Sequence, residues 1–154
     1  VIAAGFMLRI LAGTVGVGIA PSDWLLQCGL MITLFLGFAK RRAELGALPE
    51  GDEAAHRKVL GFYTPVLLDK FIGITATGVI MTYSLYTTDA DTVRAHGTRH
   101  LIYTVPFIVY GIFRYVYLLH NGSAGDPARD LFRDKQLLAA VIGWFVVTLW
   151  MITG

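Results

Sequence analysis

The sequence predicts an all-α integral membrane protein that crosses the bilayer with five transmembrane helices. Hydrophobic residues make up 55% of the 154-residue chain, whereas soluble domains contain roughly 45–50% apolar residues. The mean hydropathy is +0.60. The apolar residues are grouped in blocks that approach or reach the roughly 20 residues needed to cross a bilayer. The predicted spans are at about 1–20, 24–43, 65–86, 100–119 and 135–153.

Residues that typically start helices separate these blocks. Ser22 can cap the second helix. Thr64 followed by Pro65 is a strong helix start, because Thr can cap and Pro at the first helical position loses no needed hydrogen bond. The pair Asp126-Pro127 gives a similar signal before the last helix, which is expected to begin amphipathic and then enter the membrane.

Lysine and arginine are concentrated in the segments 40–58 and 120–135, whereas the other loops carry few. The side of the membrane with more Lys and Arg in short loops is normally the cytoplasmic side. The sequence therefore predicts cytoplasmic loops at 44–64 and 120–134 in a multi-pass protein of the cytoplasmic membrane. Residues 87–99 are predicted to form a polar loop on the other side.

The end of the second span is the most informative stretch, because several charges follow an almost wholly apolar segment. The candidate catalytic residues there are Lys40, Arg41, Arg42 and Glu44. The loop that follows adds the candidate substrate-binding residues His56, Arg57 and Tyr63. Arginine forks and lysine point charges are how proteins hold phosphate oxygens, so the pattern predicts a site for a phosphorylated substrate. The alternative is that the cations only complement the helix dipole and set the topology.

Arg9 is a charge inside the first apolar block. It shares one helical stripe with Gly5, Gly13 and Gly16, and small residues are typical of faces on which membrane helices pack closely. Arg9 is therefore predicted to point into the bundle, where an intramembrane charge is a candidate substrate-binding residue. The alternative is that it snorkels or binds a structural carbonyl.

The third and fourth spans carry three further candidates. Asp69 shares a helical face with Gly73 and Thr77 and is predicted to be an inward-facing carboxylate, a candidate metal ligand. Tyr110 and Arg114 belong to a polar and aromatic stripe of the fourth span. The arginine makes this stripe a candidate wall of a substrate cavity, and the alternative is interface packing by the tyrosines.

Composition and spacing exclude several classes of function. The formal net charge of +2 is too small to indicate nucleic-acid binding. The single cysteine, Cys28, supports neither a disulfide framework nor a thiolate metal site. The histidines lack the spacing of zinc ligands, and the sequence has no glycine-rich phosphate loop.

Several short segments carry a resemblance to a known family. They are residues 36–45, 56–57, 63, 68–69, 103–107, 111–115 and 125–130. In these segments the chain resembles the UbiA prenyltransferase superfamily, and most closely its decaprenyl-phosphate phosphoribosyltransferase branch. The resemblance covers essentially the whole chain and implies a nine-helix bundle around a central cavity. This chain is then expected to be the C-terminal part of the bundle, truncated before Val1.

The resemblance also implies a reaction and its cofactor. An oxygen of a polyprenyl phosphate attacks C1 of phosphoribosyl pyrophosphate, and pyrophosphate leaves. The implied cofactor is Mg²⁺, and its main Asp-rich motif is expected upstream of Val1. Aromatic prenyltransferases of the family carry a second Asp-rich motif where this chain has the basic cluster of Lys40, Arg41 and Arg42, which favours the phosphoribosyl branch.

On this resemblance, phosphate contacts are assigned to Lys40, Arg41 and Arg42, and Glu44 orients a cation or a ribose hydroxyl. Auxiliary anion contacts fall to Arg9, His56, Arg57 and Arg114. The predicted partners are a polyprenyl phosphate lipid, phosphoribosyl pyrophosphate and the membrane, with no nucleic acid and with a homo-oligomer left open. The chain by itself is expected to be inactive.

Two other functions remain open from the sequence. One is a prenyltransferase of the same superfamily that moves a prenyl group from a polyprenyl diphosphate to an aromatic or lipid acceptor. The other is a transporter or membrane scaffold, which also fits five spans with a buried arginine. An Asp-rich loop upstream of Val1 would favour either enzyme over a transporter or scaffold.

Overall fold

The computed structural model describes residues 22–47, 64–121 and 127–154, together with residues 5, 8, 9, 11–13 and 16 of the first apolar block. The described part is helical and contains no strand. Its helices are α1 (Asp23–Ala47), α2 (Pro65–Thr88), α3 (Ala90–His96), α4 (Val105–His120), α5 (Pro127–Arg133) and α6 (Lys135–Thr153), and a 3₁₀ turn at His100–Thr104 leads into α4.

Four of these helices are long and apolar enough to cross a membrane: α1, α2, α4 with its preceding 3₁₀ turn, and α6. They coincide with the second to fifth predicted spans, and the prediction of an all-α membrane protein is confirmed. The first predicted span, about 1–20, lies largely outside the described residues. The fifth crossing therefore stays a prediction.

The predicted helix starts are observed where the structure describes them. The Leu67 amide donates to Thr64 Oγ1 at 3.2 Å, and Pro65 occupies the first position of α2. The Leu25 amide donates to Ser22 Oγ at 3.1 Å. These caps satisfy amides that have no partner within the first turn of a helix.

Three helix boundaries differ from the prediction. α1 continues to Ala47, so Glu44 lies on the helix and not in the following loop. The predicted loop at 87–99 contains the short helix α3, which ends at Gly97 with a φ of 69°, a left-handed conformation that glycine adopts at low cost. Pro127 begins α5, a separate short helix within the predicted loop 120–134, and α6 follows from Lys135, where the Asp134 side chain accepts a hydrogen bond from the Leu137 amide.

The core lies between the four long helices. α1 packs along α2, and α4 packs along α6. Phe35 of α1 meets Tyr115 of α4 edge to face, with ring centroids 5.8 Å apart. Glycines allow close approach at two places, where Gly78 receives Met31 and Gly143 receives Phe107.

One end of the bundle collects most of its charge, and we call it the charged end. It contains the C-terminal turns of α1 and α4 and the N-terminal turns of α2 and α6, as the ion pairs from Arg42 to Asp69 and from Arg114 to Asp134 establish. The flanks of both basic segments predicted to share a side of the membrane therefore lie at the same end. α3 lies at the opposite end.

Candidate functional site

Arg42 is the cation of the cluster that reaches into the bundle. Its Nε–H donates to Asp69 Oδ1 at 2.9 Å, and the two side chains are 27% and 31% exposed. His120 Nε2 lies 3.9 Å from the same carboxylate oxygen. Residues from α1, α2 and α4 thus meet at one point of the charged end.

The direction of Arg42 follows from its place on α1. It lies three residues after Ala39 and three before Leu45, both of which are buried, and residues three apart share a helical face. Lys40, Arg41 and Glu44 lie on other faces of the helix and are exposed. The cluster is therefore divided into one inward cation and a solvent-facing set.

Arg114 is bound differently from Arg42. It donates from Nε to Asp134 Oδ2 at 2.8 Å and from Nη2 to Asp134 Oδ1 at 3.2 Å, a two-pronged pairing. Its guanidinium carbon also lies 5.1 Å from the centre of the Tyr117 ring. Hydrogen bonding and attraction from Arg114 lower the pKa of the Asp134 carboxyl, although partial burial opposes the shift. This arginine ties the end of α4 to the start of α6.

Tyr110 reinforces the same junction. Its hydroxyl donates to Gln136 Oε1 at 2.9 Å, and its ring is exposed. The two residues predicted to line a substrate cavity from the fourth span, Tyr110 and Arg114, are thus both engaged with α6. They lie at the charged end, but they do not meet the pair of Arg42 and Asp69 in the described contacts.

The remaining predicted residues are less constrained. Arg9 is exposed within the described part, and a Cβ atom placed at Gly5, Gly13 or Gly16 would meet no described atom within 4 Å. The predicted packing face is therefore not covered by the described helices. His56, Arg57 and Tyr63 lie outside the described residues.

Asp69 is the predicted metal ligand, and its closest described partner is Arg42. The stripe that it shares with Gly73 and Thr77 is exposed apart from Asp69 itself, which is half-buried against α1. Within residues 22–47, 64–121 and 127–154, no group of three His, Cys, Asp or Glu side chains converges as a metal site would require. The geometry among these residues is that of an arginine held by a carboxylate.

Sequence reasoning missed three residues of the charged end. Asp134 carries a readable local signal, because an aspartate directly before an apolar run is typical of a helix cap. Its pairing with Arg114 joins positions 20 apart, and no local pattern indicates it. Gln136 and His120 likewise acquire their partners only through helix packing.

An apolar cavity of about 660 Å³ lies between the long helices. Near the charged end its wall includes Leu36, Leu131 and Leu137. At its other end lie Tyr83 and Trp144, where the Trp144 indole N–H donates to the Tyr83 hydroxyl at 2.7 Å. Such a lining suits a hydrocarbon chain and no charged group.

The fold and site define a multi-pass helical membrane protein with a cationic cluster at one end of an apolar cavity. No protein-family model matches the chain. Its sequence is similar to proteins named decaprenyl-phosphate phosphoribosyltransferase. The identity is 35% to the protein from Corynebacterium glutamicum, over 93% of this chain and 43% of that relative.

Two mycobacterial relatives carry the same name. The identity is 32% to the protein from Mycobacterium tuberculosis, over 94% of this chain and 46% of the relative. It is 30% to the protein from Mycolicibacterium smegmatis, over 94% of this chain and 47% of the relative. The resemblance to this branch is confirmed, and the chain spans less than half the length of the curated relatives it matches.

Proposed function

We propose that this chain forms part of a membrane transferase that moves the phosphoribosyl group of phosphoribosyl pyrophosphate to a polyprenyl phosphate. The observation that carries the proposal is the similarity to proteins named for such a transfer, along nearly the whole chain. The site supports it, since an arginine at the charged end can bind phosphate and a cavity beside it can take hydrocarbon.

The proposed reaction forms a bond between C1 of the ribose and an oxygen of the polyprenyl phosphate, and it breaks the bond between C1 and pyrophosphate. Negative charge grows on the leaving pyrophosphate, so cations fixed beside it lower the barrier. Arg42 suits this role because its contact with Asp69 already restricts its movement. Lys40 and Arg41 would add phosphate contacts, and Glu44 would orient a ribose hydroxyl.

Mg²⁺ dependence is a separate part of the proposal. The described residues do not by themselves fit a magnesium site, since the Asp69 carboxylate is engaged with Arg42 and no acidic cluster converges in the part of the chain that the structure describes. The ligands would have to come from outside the described residues.

The proposed orientation puts the charged end in the cytoplasm. It follows from the Lys and Arg that flank this end, including Lys40, Arg41, Arg133 and Lys135. A soluble sugar phosphate would then reach the cations from water, and the lipid substrate would enter from the bilayer.

The test uses the complete protein in membranes, with radiolabelled phosphoribosyl pyrophosphate and decaprenyl phosphate. We expect a labelled lipid product that requires both substrates and forms together with an equal amount of pyrophosphate. Product from a polyprenyl diphosphate and an aromatic acceptor instead would favour the prenyltransferase. Absence of both products would favour a transporter or scaffold.

A further inference from the structure

We propose that Asp69 is a positioning residue, whose carboxylate holds Arg42 so that the terminal nitrogens of this arginine remain available to the pyrophosphate group of a sugar substrate. The identity of that ligand rests on the proposed function. The assignment differs from a role for Asp69 as a metal ligand, because Asp69 then acts through Arg42 and touches neither substrate nor metal.

The contact itself shows how this works. The carboxylate takes only the Nε–H of Arg42, at 2.9 Å. An arginine has five N–H donors in a planar fork, so four remain on the two terminal nitrogens, and no other residue in the described ranges is seen to accept from them. The pairing therefore orients the guanidinium and, as far as the described residues are concerned, leaves open the edge that binds phosphate.

Both partners are carried by well-packed parts of the helices. Arg42 lies between the buried residues Ala39 and Leu45 on its face of α1, and Asp69 follows Leu68, which is 1% exposed. A guanidinium set by two packed helices keeps a fixed position, which is what a phosphate contact requires in a transition state.

The second ion pair of the charged end provides the contrast. Asp134 binds both Nε and Nη2 of Arg114 and also caps α6 through the Leu137 amide. The Nε and Nη2 donors of Arg114 are therefore both engaged by one carboxylate, and the pair joins α4 to α6. The single contact to Arg42 is unlike this clamp, and the difference assigns positioning to Asp69 and structural support to Asp134.

A double-mutant cycle in the complete protein tests the proposal. Asp69→Ala should lower kcat/KM for phosphoribosyl pyrophosphate by about 10- to 100-fold, because the guanidinium loses its fixed position. Asp69→Asn keeps an oxygen that can accept from Nε and should restore most of this loss. In an Arg42→Ala background, Asp69→Ala should have almost no further effect, because its only route of action is gone.

Binding of inorganic pyrophosphate to the same variants separates this inference from the proposed function. If the protein transfers no phosphoribosyl group but pyrophosphate binding shows the same non-additive cycle, the positioning role stands and the proposed function fails. If the wild-type protein does not bind pyrophosphate, the positioning role is wrong. A second outcome would also overturn the positioning role. If Asp69→Ala lowers kcat/KM by the same factor in the Arg42→Ala background, and the Mg²⁺ concentration needed for activity rises, Asp69 acts as a metal ligand.

The exposed pair of Arg94 and Asp91 at the opposite end is the matched control. Its atoms lie 3.5 Å apart and its side chains are 79% and 78% exposed, so Asp91→Ala removes a carboxylate beside an arginine without touching the site. It should leave both readouts unchanged. Thermal melting in detergent checks folding, and retained melting with rescue by Asp69→Asn excludes a purely structural effect.

Discussion

At the scale of single residues, Arg42 and Arg114 carry the same charge but differ in how many of their N–H donors the paired carboxylate engages. Arg42 gives one N–H to Asp69, whereas Arg114 gives a fork to Asp134 and lies against Tyr117. The sequence predicted both as anion-binding residues. It could not separate them because their partners are 27 and 20 positions away.

Replacing Arg42 by lysine should strongly slow the proposed phosphoribosyl transfer by the complete protein. A lysine cannot pair with Asp69 and present a fork to phosphate together, and a lost hydrogen bond to a charged group costs about 1.5–3 kcal/mol, or roughly 10- to 150-fold in rate. Steady-state kinetics with phosphoribosyl pyrophosphate measure the effect. Lys135→Arg keeps charge at an exposed position of α6 and serves as control; full activity in Arg42→Lys would remove Arg42 from the site.

Asp134→Asn should lower thermal stability with little change in turnover, and Asp134→Ala should lower it further because the cap is also lost. The pKa of Asp134 is lowered by Arg114, so the ion pair stabilises the fold above the ordinary carboxyl pKa of about 3.9. This contribution disappears as the pH falls through the lowered value. The melting temperatures of the wild-type protein and Asp134→Asn should therefore approach each other as the pH is lowered below about 3.9; a difference that stays constant on acidification would contradict the pairing.

At the scale of helices, the sequence predicted what local chemistry decides. The start of α2 at Thr64 and Pro65 could be predicted because its cap lies within one turn. The separate helix α5 and the short helix α3 were missed, since helices of seven residues depend on surrounding packing more than on their own propensity. The close approaches at Gly78 and Gly143 also depend on packing and leave no local pattern.

Gly143→Ala should destabilise the bundle by about 1–3 kcal/mol, the usual range for overpacking. A Cβ atom there would lie 2.8 Å from Cε1 of Phe107, so the ring must shift. Adding Phe107→Leu should recover part of the loss. The comparison variant is Gly78→Ala, which meets the flexible Met31 side chain at 2.7 Å and should cost less. Equal melting temperatures for the wild-type protein and Gly143→Ala would show that α4 and α6 do not pack this closely.

At the scale of the whole molecule, helix packing collects residues from four helices at the charged end. The clustering of Lys and Arg predicted that both basic segments share a side, because charge asymmetry is a property of the whole chain. It could not predict that Asp69 pairs with Arg42, since that depends on the relative rotation of α1 and α2.

The topology is testable with single cysteines in a Cys28→Ala background. Asn121 is exposed at the charged end and Asp91 at the opposite end. A membrane-impermeant thiol reagent should label Asn121→Cys only from the cytoplasmic side of sealed vesicles, and Asp91→Cys only from the other. The reverse pattern would invert the orientation, and labelling of both from one side would contradict the antiparallel bundle.

The chain of 154 residues should show no transferase activity after purification, because it spans only 43–47% of the length of the transferases that it resembles. Radiolabelled phosphoribosyl pyrophosphate and decaprenyl phosphate with Mg²⁺ provide the assay, and the complete protein is the positive control. Robust product from the chain alone would show that it contains a whole active site.

The apolar cavity has a consequence for the folding equilibrium. The pocket is partly open and its lining is almost wholly apolar, so water in it would leave that lining without apolar partners. Apolar groups from bilayer lipid or from another segment of the protein can bind there, and a group that binds the native state and not the unfolded state stabilises the fold. The melting temperature of the protein then reports the chemical potential of whatever occupies this space.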